Sequence, residues 1–191
     1  MTEFTFREIT PELWPDFEKL FGANGACGGC WCQSWRVPTG KQLWEKRKGR
    51  INKSATKKLI LAGDMTGLLA YDGRQAVGWC SYGPRDQYAR LSRMKPYHRD
   101  DTAGVWCINC FFIDKQYRQQ GLARLLLNAA LDYIRKRRIK IVEAYPTPLT
   151  LDGKKLPGAF VYAGPLSLFE KAGFTIVQRF SYSRPLVRKE L

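Results

Sequence analysis

The apolar run from Val105 to Ile113 stops at a polar turn and gives way at once to Leu122, Leu125, Leu126, Ala129, Ala130 and Tyr133, which fall at helical spacing. So abrupt a change of hydrophobic period confines this part of the chain to a buried strand, a tight loop and a helix, in that order. The loop carries Arg118-Gln119-Gln120-Gly121-Leu122-Ala123, with a glycine where the helix must begin. Glycine lets backbone approach a bound group with no Cβ in the way, and the N–H groups of a first helical turn lack intrahelical acceptors. Such a junction is an anion site, and a diphosphate suits it best.

The flanking segments supply the rest of an alternating architecture. Phe4 to Ile9 alternates as a half-buried strand. Thr10, Pro11 and Glu12 then open a helix whose stripe is Leu13, Trp14, Phe17, Leu20 and Phe21. A second helix, capped by Ser54, is expected to end before Gly63. Met65 to Tyr71 and Gln75 to Tyr82 read as a hairpin closed at Asp72-Gly73. Gly83 to Thr102 is charged, irregular or briefly helical, and placed to line an acceptor site. Ile139 to Tyr145 is a short strand stopped by Pro146 and Pro148, followed by a loop with a turn at Asp152-Gly153. A last helix over Tyr162 to Ala172 and strands at Phe174 to Phe180 and Leu186 to Arg188 complete the chain.

Two segments carry a family likeness. Arg118-x-x-Gly121-x-Ala123 after an apolar strand resembles the acetyl-CoA signature of the GNAT superfamily of N-acetyltransferases, Gln/Arg-x-x-Gly-x-Gly/Ala. Leu168-Phe169-Glu170-Lys171-Ala172-Gly173-Phe174, about fifty residues on, resembles that superfamily's C-terminal Tyr-Glu-Lys-Leu-Gly-Phe, and the likeness runs from Phe4 to the end. It implies a mixed α/β (α+β) fold: a mostly antiparallel central sheet flanked by helices, with a V-shaped cofactor cleft between the central strands. The implied function is acetyl transfer from acetyl-CoA to a primary amine by direct attack on the thioester. On that reading Phe111, Phe112 and Ile113 lie along the pantetheine arm, with backbone groups of Phe111 and Ile113 pairing to it. The turn Arg118, Gln119, Gln120, Gly121, Leu122, Ala123 and Arg124 would hold the pyrophosphate.

The sequence departs from the family at the proton donor. Phe169 stands where a thiolate-protonating Tyr is common, so Tyr162 and Tyr145 become the candidate acids, with solvent as the alternative. On the central strand, where some members place a carboxylate, stand Cys107 and Asn109. Glu143 on the next strand is the remaining carboxylate for a base, and His98 falls in an exposed loop. The missing Tyr also keeps open a non-catalytic acyl-CoA-binding or sensing module.

With 191 residues the chain suits one domain, 1–191. The polar start and the lack of any apolar run of bilayer length lead to an expectation of a cytoplasmic protein with no membrane partner. Thirty-two Lys and Arg against seventeen Asp and Glu give a formal charge of +15, a field that draws anions and repels polycations. Coenzyme A fits that field, and less charged small-molecule or protein amines are the expected acceptors. Nucleic acid would fit it too, but no RNA motif supports that reading, and Arg135-Lys136-Arg137-Arg138 also suits a helix C-terminus. A homodimer is left open.

Cys27-Gly28-Gly29-Cys30-Trp31-Cys32 admits three readings: half of a zinc site, a thiol facing substrate, or small buried residues in a glycine-permitted turn. Cys107 and Cys110, three apart on one strand, are expected on opposite faces and so unable to chelate together. No metal is therefore assigned.

Overall fold

The computed structural model describes residues 3–38, 40–147, 150–151, 154–155, 161–179 and 184–191. Along the chain run β1 (Phe4–Glu8), α1 (Trp14–Phe21), α2 (Lys41–Arg47), α3 (Arg50–Leu61), β2 (Gly67–Asp72), β3 (Gln75–Pro84), α4 (Ala89–Arg93), β4 (Trp106–Ile113) and α5 (Leu122–Lys136). There follow β5 (Ile141–Ala144), the two-residue strands β6 (Thr150–Leu151) and β7 (Lys154–Lys155), α6 (Leu166–Lys171), β8 (Thr175–Gln178) and β9 (Leu186–Glu190). Seven strands form one sheet in the order β1-β2-β3-β4-β5-β9-β8, in which only β4 and β5 are parallel. This is the mixed, mostly antiparallel architecture expected.

Helix α5 lays Leu122, Leu126, Leu127, Ala130, Leu131 and Ile134 on one face of the sheet, against Leu68, Val77, Cys80 and Phe111. Each buried leucine contributes about 1.5–3 kcal/mol. The opposite face is aromatic. Phe17 of α1 stacks on Phe21 at 4.0 Å and meets the edge of Trp79 at 4.9 Å, while Phe21 also packs on Trp31 and Phe112. With both faces covered, Gly67 to Tyr71 of β2 is buried throughout.

Some boundaries differ from expectation. Thr10 makes no side-chain cap, and a short 3-10 turn precedes α1. Helix α3 begins a turn before Ser54, with Gly49 at its N-cap, because Gly49 supplies the φ of +72° that the entry needs. The last helix is shorter than expected, starting after Pro165, and leaves Tyr162 in the preceding turn. The Asp152-Gly153 turn, Pro148 and Phe180 lie outside the described residues.

The feature that positions the site is a β-bulge. Cys110 pairs with Ser81 but Ile108 pairs with Tyr82, so Asn109 is the extra residue of β4. Pairing with β5 covers only Trp106, Cys107 and Ile108. In register the next partners would be Tyr145 and Pro146, and proline has no N–H to continue a ladder. The two central strands therefore part beyond Ile108, as the expected V-shaped cleft requires. The bulge also corrects the reading of the cysteines. Cys107 pairs with Gly83 and Cys110 with Ser81, two apart on β3, so both lie on the face away from α5.

Candidate active site

The turn before α5 is built as an open amide cup. Gln119 has φ +62° and Gly121 has φ +80°, ψ 0°, both left-handed, and the first helical bonds run from Arg124 and Leu125 N–H to the Gly121 carbonyl at 3.0 and 3.2 Å. The N–H groups of residues 119–123 therefore have no backbone acceptor among the described residues. Gln119, Gln120, Gly121 and Arg124 are exposed, whereas Leu122 turns into the core. A Cβ on Gly121 would meet nothing within 4 Å, so it is the left-handed φ that calls for glycine there. Arg118 bends back and donates from Nε to the Ile113 carbonyl at 2.9 Å, fixing its cation beside the positive end of the helix.

The free edge of β4 faces the same opening. Asp114 N–H donates to the Val77 carbonyl, which turns the polar groups of Phe111 and Ile113 away from β3. Not all of them are available. Phe111 N–H donates to the Tyr162 carbonyl at 2.6 Å, and Arg118 takes the Ile113 carbonyl. The expectation that Phe111 and Ile113 present a bare edge is thus corrected: the Phe111 carbonyl and Ile113 N–H are what remain toward the gap. Phe112 points to the other face, into the aromatic layer of α1.

On that other face lies a cleft of about 670 Å³. Phe21, Phe112, Val37 and Trp44 form apolar walls, and Tyr162 and Ser34 contribute hydroxyls 3.0 Å apart. Among the described residues its charged lining is Lys41, Lys48, Arg90 and Arg184, with no Asp or Glu. Cys27, Cys30, Cys32 and Cys110 also border it. The glycine-rich segment that carries three of them is contorted: Ala26, Trp31 and Cys32 hold positive φ without being glycine, conformations that cluster where structure serves a site.

The cysteines diverge in environment. Cys27 is exposed, whereas Cys32 is buried and accepts a hydrogen bond from Trp79 Nε1 at 3.3 Å. The Cys110 thiol beside it and the indole N–H favour the Cys32 thiolate and lower its pKa to about 7 against the effect of burial. Cys110 moves the opposite way, well above the ordinary thiol range, since it keeps the proton that Cys32 gives up. Among the described residues no three His, Cys, Asp or Glu side chains gather to hold a metal ion.

Two expected catalytic residues are placed elsewhere. Glu143 is fully buried, and both its oxygens are occupied: Oε1 by Arg188 Nε and Nη2, Oε2 by Arg85 Nε at 3.0 Å and the Tyr145 hydroxyl at 2.6 Å. A base needs a free lone pair at the substrate, so Glu143 cannot serve as one here. Tyr145 is likewise fully buried. Its hydroxyl donates to Glu143, and burial holds its pKa well above the usual phenol range, which removes it as the acid. Phe169 is core, edge-on to Phe174 and Phe111. His98 is exposed. Of the three candidates only Tyr162 borders the cleft. Ser34, Trp35, Arg90 and Arg184 went unmarked because no motif carries them; the charged segment after Gly83, expected near the acceptor, does supply Arg90.

An amide cup thus lies at the head of α5, beside strands parted by a bulge, with a separate cleft on the other face of the sheet. The sequence profile of the Acetyltransferase (GNAT) family matches residues 31–149, and the chain belongs to that family. None of the curated proteins compared matches it. Among solved structures, the fold is shared with PaiA N-acetyltransferase from Thermoplasma acidophilum in complex with coenzyme A (13% identity, TM-score 0.57, 99% of each chain). It is also shared with the GNAT family N-acetyltransferase YhbS from Escherichia coli in complex with CoA (15%, 0.56, 100% of this chain and 82% of that one). A third, YncA from Salmonella typhimurium with its cofactor acetyl-CoA, is 13% identical with a TM-score of 0.53 over 98% of this chain and 92% of that one.

Proposed function

We propose that this chain is a single-domain N-acetyltransferase that moves the acetyl group of acetyl-CoA to a primary amine held in the Tyr162 cleft. One observation carries the reading: the unpaired amides of residues 119–123 open beside the gap at Phe111, and the cleft reaches Phe111 from the opposite face. A linked diphosphate would suit the cup, since glycine leaves its mouth clear and the N–H groups of residues 119–123 have no backbone acceptor among the described residues. Gln119 to Arg124 would hold it, with Arg118 adding charge and the Phe111 carbonyl and Ile113 N–H meeting the arm. Acetyl-CoA supplies an acyl group activated as a thioester.

The chain's own residues account for the rest. Attack needs a neutral amine, and the described lining residues include no carboxylate. The positive lining, Arg90 and Lys41 among it, would do the same work by destabilising a bound ammonium and lowering its pKa, so that its proton leaves to solvent. Tyr162, held by Ser34 at its hydroxyl and by Phe111 at its carbonyl, would return a proton to the departing thiolate. The same cations exclude polyamines.

Transfer of label from radioactive acetyl-CoA across a panel of amines tests the proposal. Turnover with any neutral or singly charged amine supports it. Tight coenzyme A binding with no turnover would favour an acyl-CoA-sensing module, which the burial of Phe169 also suits, and absence of coenzyme A binding would defeat both.

A further inference from the structure

Two of the chain's cysteines meet at the cleft. Cys110 of β4 borders it from the sheet, on the face away from α5, and Cys32 borders it from the glycine-rich segment, their thiols interacting side by side. The others are placed apart. Cys27 is exposed, Cys80 lies in the core on the α5 side, Cys107 reaches the Tyr145 hydroxyl at 3.9 Å, and Cys30 registers Cys32 through its charge. Cys32 is held in position against a conformational cost, since Trp31 and Cys32 take left-handed φ values of +48° and +60°. Two buried bonds at Thr56 of α3 fix them: its Oγ1 donates to the Trp31 carbonyl at 2.6 Å and accepts from Gln33 Nε2 at 2.7 Å. Trp79 Nε1 then donates to Cys32 Sγ at 3.3 Å. Ser81, which pairs with Cys110 across the ladder, has a fully buried hydroxyl without a hydrogen-bond partner among the described residues. Its dipole favours the Cys32 thiolate from outside ordinary hydrogen-bond geometry. Acetyl transfer as proposed uses neither thiol.

We propose that Cys32 and Cys110 form a dithiol site for small organic disulfides: Cys32 attacks a disulfide that enters the cleft, and Cys110 then closes an internal Cys32–Cys110 bond. In the first step an S–S bond forms between Cys32 and one half of the reagent, the reagent's own S–S bond breaks, and the departing thiolate takes up the proton that Cys32 has released. In the second, Cys110 loses its proton, its sulfur attacks Cys32 Sγ, and the other half leaves as a thiolate that is then protonated. Two protein thiols are oxidised to one disulfide, and one small disulfide is reduced to two thiols. The order follows from the coupling of the pair. Cys110 is kept protonated first by its interaction with the Cys32 thiol, then by burial, and again by the Cys32 charge. Capping Cys32 removes the first and third of these causes, so Cys110 gains nucleophilicity once Cys32 has reacted. The new bond would tie the glycine-rich segment to β4 at the residue before Phe111.

Hydroxyethyl disulfide is the probe, applied to the full chain without coenzyme A and followed by denaturing alkylation and peptide mapping. Neither cofactor nor turnover enters, so the outcome is independent of the transferase reading. The wild-type protein should end with the Cys32 and Cys110 peptides joined and no hydroxyethylthio group retained. Cys110→Ser should instead stop at a mixed disulfide on Cys32. Cys32→Ser should slow the loss of the Cys110 thiol at least about tenfold, because the thiolate that starts the exchange is gone. A mixed disulfide retained in the wild-type protein, a bond from Cys32 to Cys30 or Cys27, or no reaction at Cys32 would overturn the proposal. The wild-type map decides this even where a variant fails to fold.

Discussion

Arg188 reaches Glu143 Oε1 with both Nε, at 3.0 Å, and Nη2, at 2.7 Å, across the very rung where β9 and β5 pair. With Arg85 on the other oxygen and Asp101 on Arg188 Nη1 at 2.5 Å, the pair forms the centre of a charge network that ties β5 to β9 and to the segment before β4. It holds the far wall of the gap in place.

Glu143→Ala should therefore act on stability. Removing one partner of a buried ion pair leaves guanidiniums uncompensated and costs about 3–5 kcal/mol. For a domain of this size the melting temperature should fall by roughly 6–20 °C, measured by calorimetry. A base would instead give a fully stable protein whose pH–rate profile loses its acidic limb; that outcome would return Glu143 to the chemistry.

Acidification should loosen the outer part of this network. Arg99, and then Arg188, hold the Asp101 carboxyl well below the usual carboxylate range. A depressed carboxyl pKa stabilises the fold above its unfolded value near 3.9, and that contribution disappears as pH falls through the folded value. Asp101→Asn should flatten the acid side of the stability curve, followed by denaturant titration between pH 6 and 2. An unaltered curve would show that Asp101 contributes nothing.

Gly121→Val tests the amide cup. A β-branched residue resists φ +80° at a cost of about 1–2 kcal/mol, so the turn should reorganise and coenzyme A affinity fall about tenfold or more by calorimetry. Because space at that position is open, the melting temperature without ligand should drop far less than in Glu143→Ala. Unchanged affinity would move the diphosphate elsewhere.

Tyr162→Phe removes one hydroxyl and leaves the ring under Arg184. If that hydroxyl protonates the leaving thiolate, kcat should decline about 10²-fold or more with little change in KM for the acceptor. A loss below threefold would assign the proton to solvent.

Cys32, with its pKa lowered to about 7, should be carboxymethylated increasingly fast as pH rises from 6 to 8, while Cys110 stays unmodified; peptide mapping after iodoacetate treatment reads both. Its folded pKa lies below the unfolded value near 8.5, so the thiolate stabilises the fold above that value and the benefit is lost as pH falls through about 7. Equal labelling of the two cysteines would contradict the assigned environment.

The turn at Gly121 and the helix after it were legible because a change of hydrophobic period and one glycine determine them locally. Pro146 likewise announced where β5 ends. The bulge at Asn109 was not legible, since an inserted residue looks like any other in an apolar strand, and missing it put Cys107 and Cys110 on the wrong faces. Glu143 misled for a related reason: its partners Arg85 and Arg188 are distant in sequence and meet it only through sheet pairing. Arg90, Arg184 and Trp35 converge through three separate segments, so no spacing could flag them.

Tyr162 stands astride the sheet, its carbonyl fastened to the rim of one entrance and its ring forming part of the other. Whatever nudges that peptide from the first side must also tilt the phenol on the second. On the proposed function, cofactor and acceptor would both bear on this single residue, and the order in which they arrive should matter.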